Sequence, residues 1–290
     1  MNQKIRRPAK VFQQRSVKYI YQTIHSALER AVKNRVILLN PAKHVELPKQ
    51  EKKEMRPFTK EELSLFFKAS KEDRHFVIFF LAVSTGMRRG ENLGLTWDNI
   101  NFEKGTIDIK KQLVRSSEQK RLILKYLKTK TSIRTVKVTA EVMELLKNHK
   151  KEQNKKKLML GPHYNQDCDL VFATDNGTFL EPNNMVSRHF KEVIKKHNKK
   201  IKEKAKKEGL SMEDIKHEKL PLIRFHDLRH TYATLSLEAG IDLATISKNL
   251  GHSSYAITAD TYSHMTDTIK SDAAEVICGV VTGCLKKNSL

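Results

Sequence analysis

The longest apolar run in the chain, FVIFFLAV at residues 76–83, limits what the chain can fold into. A bilayer span needs about 20 apolar residues, so this run reads as a core helix, and no apolar run approaches the length of a spanning helix. Around it the sequence is strongly basic, with 55 Lys+Arg against 33 Asp+Glu and a formal charge of +22. That balance implies a polyanionic partner, nucleic acid first and an anionic membrane surface as the competitor. A length of 290 residues allows one large domain or two moderate ones, and a hydrophobic fraction of 39% suffices for a core. The opening MNQKIRRPAK carries no apolar stretch of a secretory signal. Cys168, Cys278 and Cys284 are scattered and odd in number, which fits a reduced cytosolic protein without a disulfide framework or a zinc site.

Along the chain, Val17, Ile20, Ile24, Ala27, Leu28, Ala31 and Val32 recur at a helical period from Ser16 to about Asn34. Asn40-Pro41 ends that segment, and ELPKQEKKEMRPF at 46–58 reads as a charged linker. Residues 1–56 hold 14 Lys+Arg against 4 Asp+Glu, and one or two helices cannot bury a sound core. Thr59 with Glu62 is a capping-box pattern opening a helix, and a second helix is expected at about 73–84, stopped by Gly86. NFEKGTIDI at 101–109 reads as strand, turn, strand, and residues 123–138 as a hairpin with a lysine-rich turn. Thr139 opens a helix towards Asn154, DLVFAT at 169–174 is a short buried strand, and Asn183 or Asn184 starts a helix whose far half is almost wholly charged. Three helical segments follow, at about 223–238, from Asp242 to Gly251, and from about Ser254 to His264. The coarse result is a mainly α protein with one small antiparallel β-sheet, an α+β class.

The residues that carry chemistry are dispersed. Arg88 lies in TGMRRGE, where an arginine pair after glycine is ordinarily surface charge; Glu91 could orient its guanidinium or be a plain helix-surface acid, and Arg89 reads as solvent or backbone-phosphate contact. Lys128 and Lys130 sit in a turn, where a lysine is normally solvated, yet a mobile turn can deliver an ammonium to a leaving oxygen. His226 and Arg229, three apart, share a helix face flanked by Phe225 and Leu228. An arginine there wants an anion, because burying it unpaired is costly; His230 is set aside as structural. His252 follows Gly251 at a helix stop, a place where histidine commonly caps carbonyls. Tyr262, ten residues on, competes on chemistry with Tyr232 and Tyr255, and its bland reading is a half-buried phenol with a hydrogen-bonded hydroxyl.

In their order and wording, TGMRRGE, KTKTSIRTVKV, FHDLRHTYATL, LGHSS and DTYSH resemble the tyrosine recombinase family, the integrases of phages and integrative elements, over about Thr59 to Ser271. SVKYIYQTIHSALERAVKNRVILLNPAKHVELP is similar to the last part of that family's core-binding domain. The resemblance implies the recombinase catalytic fold at 59–277, a partial helical DNA-binding domain at 1–50, a linker at 51–58 and a tail at 278–290. The family's arm-site domain and complete core-binding domain do not fit before Pro57, so the chain reads as truncated or internally started. The charged stretch 195–220 is longer than the family's usual connector.

By the same resemblance, Arg88 and Arg229 are the catalytic arginines, Lys128 (with Lys130 as alternative register) the hairpin lysine, His226 the histidine, His252 the position that is His or Trp, and Tyr262 the nucleophile. Two guanidiniums would offset the charge that builds in a pentacoordinate phosphate. The cationic pocket would lower the cost of the phenolate, and His226 would take its proton. The product would be a 3′-phosphotyrosyl link, with Lys128 protonating the leaving 5′ oxygen. That link conserves the phosphodiester energy, so no cofactor and no metal is expected. Implied partners are double-stranded DNA attachment sites, a homo-tetramer formed on DNA that is weak or monomeric without it, and accessory DNA-bending or excision factors, with no membrane. The implied location is the cytoplasm of a bacterium, on the nucleoid. A type IB topoisomerase-like enzyme, a DNA-binding remnant without activity and a non-cutting regulator stay open on the sequence. The tail SDAAEVICGVV fits docking on a neighbouring protomer or on its own.

Overall fold

The computed structural model describes residues 14–48, 56–129, 131–211 and 213–252, and beyond them residues 254–256, 258–259 and 261–262. The chain divides into two units, Met1–Glu54 and Met55–Leu290. In the smaller unit, helix α1 (Gln14–Lys33) leads to a tight turn of helix at Pro41–His44. Asn40 fixes that turn: its side-chain oxygen accepts from the Ala42 N–H, and its amide donates to Glu29 and to the His25 carbonyl. Tyr19, Ile24, Leu38 and Leu39 remain exposed, as expected of a segment too small to enclose its apolar residues.

The larger unit is built around helix α3 (Phe76–Thr85), whose Phe79, Leu81 and Ala82 are buried. Helix α2 (Lys60–Ser70) begins with the expected capping box, Thr59 and Glu62 each accepting from the other's backbone N–H. Its Phe66 joins Phe79, Phe190 and Phe225 in an aromatic cluster with ring centroids 5.1–6.2 Å apart. Gly86 ends α3 in the left-handed region, φ 62°, where glycine alone is unstrained. The short α4 (Arg89–Leu93) follows and ends at Gly94, where a Cβ would lie 2.6 Å from the Leu113 nitrogen. The glycine lets the backbones of α4 and the next sheet touch.

There are two small antiparallel sheets among the described residues. One runs β1 (Ile100–Asn101), β2 (Thr106–Ile109), β5 (Arg134–Lys137), with Ile107 opposite Val136; the other pairs β3 (Lys111–Arg115) with β4 (Leu122–Tyr126). This corrects the hairpin expected at 123–138: β4 and β5 are consecutive but pair with different strands. Period-two alternation marks each as a strand and says nothing of its partner. The expected strand at 169–174 is reduced to single bridges, Thr96 to Leu170 and Ala173 to Phe179, although Leu170, Val171 and Phe172 are buried as predicted.

Helix α5 (Ala140–Leu160) runs past the expected end at Asn154. A wide helical turn at Pro182–Arg188 leads into α6 (His189–Glu208), which buries Phe190, Val193 and Ile194 at its start and exposes its lysine-rich half. Helices α7 (Asp227–Glu238) and α8 (Leu243–Leu250) close the domain, α8 capped by Asp242 on the Thr245 N–H. Residues 255–256, 258–259 and 261–262 are helical, in agreement with a helix carrying Tyr262. No helix among the described residues is long and apolar enough to cross a membrane. Lys130, the linker residues 51–55 and the tail 278–290 lie outside the described residues.

Candidate active site

The pocket is assembled where the end of α3, the start of α7 and the end of α8 meet. Arg229, on the first turn of α7, is 4% exposed. Its guanidinium donates to the Gly86 carbonyl at 2.8 Å and the Leu250 carbonyl at 2.8 Å. Both acceptors are orphan carbonyls at helix ends, closed by Gly86 and Gly251. Burial first, and then the Arg88 charge, push Arg229 down to about 9, so it is still a cation at neutral pH.

Arg88 donates to Glu91 at 2.8 Å and, one carbonyl along from Arg229, to Gly251 at 2.9 Å. Glu91 is 1% exposed, which decides between its two sequence readings: it is a buried anchor. Its second oxygen accepts from the Arg88 backbone N–H and from Arg134, both at 2.8 Å. Burial pushes this carboxyl up, but the bonds and charges of Arg134 and Arg88 outweigh it and hold the group below its ordinary value. Arg134 itself, with a side chain 5% exposed, also bonds the Asn249 carbonyl. It went unnoticed in the sequence. The available signal was its register: two residues before buried Val136, it falls on the inward face of β5.

Tyr262 is 5% exposed and packs with Ala233, Leu237, Ile246 and Leu250. Its hydroxyl lies 2.8 Å from Nδ1 of His230. The sequence reading sets His230 aside as structural and passes the phenol's proton to His226; in the structure it is His230 that is in contact with the phenol. His226 stands behind it, its ring edge-on to His230 with centroids 5.5 Å apart. The missed signal was again spacing, since residues 226 and 230 are one helical turn apart. Burial also pushes the phenol up to about 12, and Arg229 offsets only part of that. The pocket in this state therefore does not lower the cost of the phenolate: desolvation outweighs the cation.

The imidazoles follow the same physics. Burial, then His226, push His230 down to about 4, while burial, then Arg229 and Arg88, do the same to His252. His252 Nδ1 meets the Thr258 hydroxyl at 2.7 Å. The His226 ring reaches solvent, yet the protein mass beneath it, and next the Arg229 charge, set it below its ordinary value. The competing tyrosines are placed elsewhere, Tyr255 exposed and Tyr232 accepting from the Asn249 amide. Lys128 is exposed just after β4. Arg89, expected to face solvent or phosphate, bonds Ser187 at 2.7 Å and the Pro182 carbonyl, bracing the turn before α6. An open cleft of about 700 Å³, lined by Arg88, Arg115, Lys191, Arg224 and His226 among others, leads to the pocket. Its cations could hold an anionic, extended ligand.

Residues 47–268 match the model of the phage integrase family. The chain is 33% identical over 233 residues to a XerC-like tyrosine recombinase of Caldanaerobacter subterraneus subsp. tengcongensis, covering 77% of this chain and 54% of that protein. It is 27% identical over 263 residues to the ICEBs1 integrase of Bacillus subtilis, covering 90% of this chain and 64% of that protein. The chain thus spans about half to two thirds of the length of these relatives. Among solved structures, the Tn1549 transposon integrase in complex with a circular intermediate DNA shares the fold, with TM-score 0.73, 20% identity, and coverage of 92% of this chain and 81% of that one. With a family model matching over three quarters of its residues and a relative named as a tyrosine recombinase, the chain belongs to the phage integrase family, that of the tyrosine recombinases.

Proposed function

We propose that this chain is a site-specific DNA recombinase that cuts and rejoins duplex DNA through a 3′-phosphotyrosyl bond on Tyr262. The contact between the Tyr262 hydroxyl and His230, inside a pocket of buried guanidiniums, carries this reading. A phenol held near 12 is ionised in only about one molecule in 10⁵ at pH 7. Attack therefore proceeds with the proton leaving as the phosphorus–oxygen bond forms, and His230, kept neutral, is the acceptor in place. Arg88 and Arg229 bind the non-bridging oxygens as their charge grows, and His252 adds a hydrogen bond. The 5′ oxygen leaves with a proton from Lys128 on its exposed turn. A 5′ hydroxyl from a second duplex then attacks the phosphotyrosine, restoring the phenol and exchanging strands.

The substrate is duplex DNA at the attachment sites of a mobile element, held largely by phosphate contacts that weaken with salt. The working assembly is a homo-tetramer on that DNA, with accessory DNA-bending or excision factors, in the bacterial cytoplasm. Residues 1–50 supply part of the DNA-binding surface. The test is a nicked suicide duplex from an attachment site. Wild-type chain should accumulate a covalent adduct resistant to denaturant, while Tyr262→Phe should form none and bind DNA with nearly unchanged affinity. An adduct in the phenylalanine variant would refute the assignment of the nucleophile.

A further inference from the structure

A second cluster of ionisable groups lies at the opposite end of α3 from Arg88, about 15 Å away along ten residues of helix. Asp73 and His75 sit in the turn before α3, and His189 is the first residue of α6. His189 Nε2 meets both Asp73 oxygens, at 2.9 and 2.8 Å, and His75 Nδ1 is 3.6 Å from Asp73 Oδ1. One ligand atom from each residue lies within 4.8 Å of the other two. Ligand atoms around a tetrahedral zinc, at bonds of about 2.0–2.1 Å, are about 3.3 Å apart. Small side-chain rotations would bring the three groups to that spacing.

An independent observation points the same way. His75 is 3% exposed, and neither of its ring nitrogens has a hydrogen-bond partner. Buried polar atoms are nearly always paired, and an orphan carries the full cost of its lost hydration. His189 Nδ1 lies 4.0 Å from a Glu192 oxygen, within reach of an outer-sphere bond after a small side-chain movement. Arg74, next in sequence to both Asp73 and His75, is paired instead with Asp175 at 3.4 Å.

We infer that Asp73, His75 and His189 form a structural site for a zinc-class divalent cation, with solvent as the fourth ligand. The cation takes the place of the proton shared by His189 and Asp73 and gives His75 its partner. It ties the α2–α3 turn to the first residue of α6, directly after the turn braced by Arg89. Two imidazoles and a carboxylate suit Zn²⁺ or Co²⁺ rather than Mg²⁺ or Ca²⁺, which take oxygen ligands. The sequence conceals the set because Asp73 and His189 are 116 residues apart.

The test uses the full, untagged chain, stripped with a chelator. One equivalent of Co²⁺ should give the visible absorption of a non-octahedral site, and Zn²⁺ should abolish it by displacement. Saturating Zn²⁺ should raise the melting temperature, followed by the fluorescence of the single tryptophan, Trp97, by about 5 °C. His189→Gln and Asp73→Asn should lose both responses, while His163→Gln, on an exposed residue, should keep them. Absence of the cobalt band in the wild-type chain overturns the proposal. So does a zinc response of wild-type size in both ligand variants.

Discussion

Replacing Glu91 by glutamine tests how the cationic pocket is held together. The carboxylate is 1% exposed and accepts from Arg88 twice and from Arg134 once. Glutamine keeps the shape but removes the charge and turns an N–H₂ group towards one of the guanidiniums. Arg134, 5% exposed, cannot reach water, and stranding a buried partner costs about 3–5 kcal/mol. Arg88, with a side chain 35% exposed, can partly rehydrate and adds about 1 kcal/mol at most. A loss of about 4 kcal/mol in a unit of this size lowers the melting temperature by about 10 °C. Trp97 is buried in the larger unit, so its fluorescence follows that transition. The pH dependence has a definite sign. Glu91 has a lower pKa folded than unfolded, so its stabilisation is complete above the unfolded value and fades as pH falls through the folded one. Glu91→Gln should therefore flatten the acid side of the stability profile as well as lower it. A variant that melts within about 2 °C of wild type would refute the view that this carboxylate anchors the two arginines.

His230→Gln should slow adduct formation on the suicide duplex by about 10²–10⁴-fold, whereas His226→Gln, which leaves the Tyr262 contact in place, should cost less. Because burial holds His230 near 4, the neutral acceptor persists as pH falls, and the second-order cleavage rate should not decline with a midpoint near 6.5; such a decline, or wild-type cleavage by His230→Gln, would remove its role. Gly86→Ala places a Cβ 2.6 Å from the Tyr232 ring and 2.7 Å from Leu250, at φ 62°. Strain and overpacking together should destabilise the larger unit by about 2–4 kcal/mol, read by the same melt, and should disturb Arg229, which bonds the Gly86 carbonyl. An unchanged melting temperature would show that α3 can end without a left-handed residue.

The parts of this fold that were legible in the sequence are those whose cause is local. Thr59 and Glu62 announce α2 because a capping box is a four-residue device. Asp242 and Gly251 bracket α8 for the same reason. The pairing of β5 with β2 was not legible, because the choice of partner is settled by Val136 lying opposite Ile107 on a strand distant in sequence, both of them buried. The Tyr262–His230 contact was concealed by a similar gap: residues 32 positions apart meet only after α7 and α8 have packed. Motif order placed Arg88 and Arg229 in one pocket but could not show that they bond neighbouring carbonyls at the end of α8. Nor could it show that Arg134 shares the carboxylate of Glu91.

That shared carboxylate sets the electrical character of the pocket. Of the three guanidiniums, Arg88 and Arg134 pair with one carboxylate, Glu91, while Arg229 bonds backbone carbonyls. Arg224 and Asp227 neutralise each other beside it, and His230 and His252 are held neutral by burial. Among the described residues the pocket keeps two positive charges without a protein counterion, on groups that hydrogen bonds to backbone carbonyls fix in place. Burial first, and next the Arg88 charge, make the Arg229 cation costlier to hold here than in water, and an entering anion would offset that cost. A phosphodiester brings a single negative charge in its ground state and gains a second as the nucleophile adds. In the reaction we propose, the fixed excess therefore matches the transition state better than the bound substrate, which is the condition for accelerating the step rather than only gripping the DNA. In that proposed reaction the buried guanidiniums act by placement, and the phenol, which burial makes costly to ionise, passes its proton to His230 as the phosphorus–oxygen bond forms.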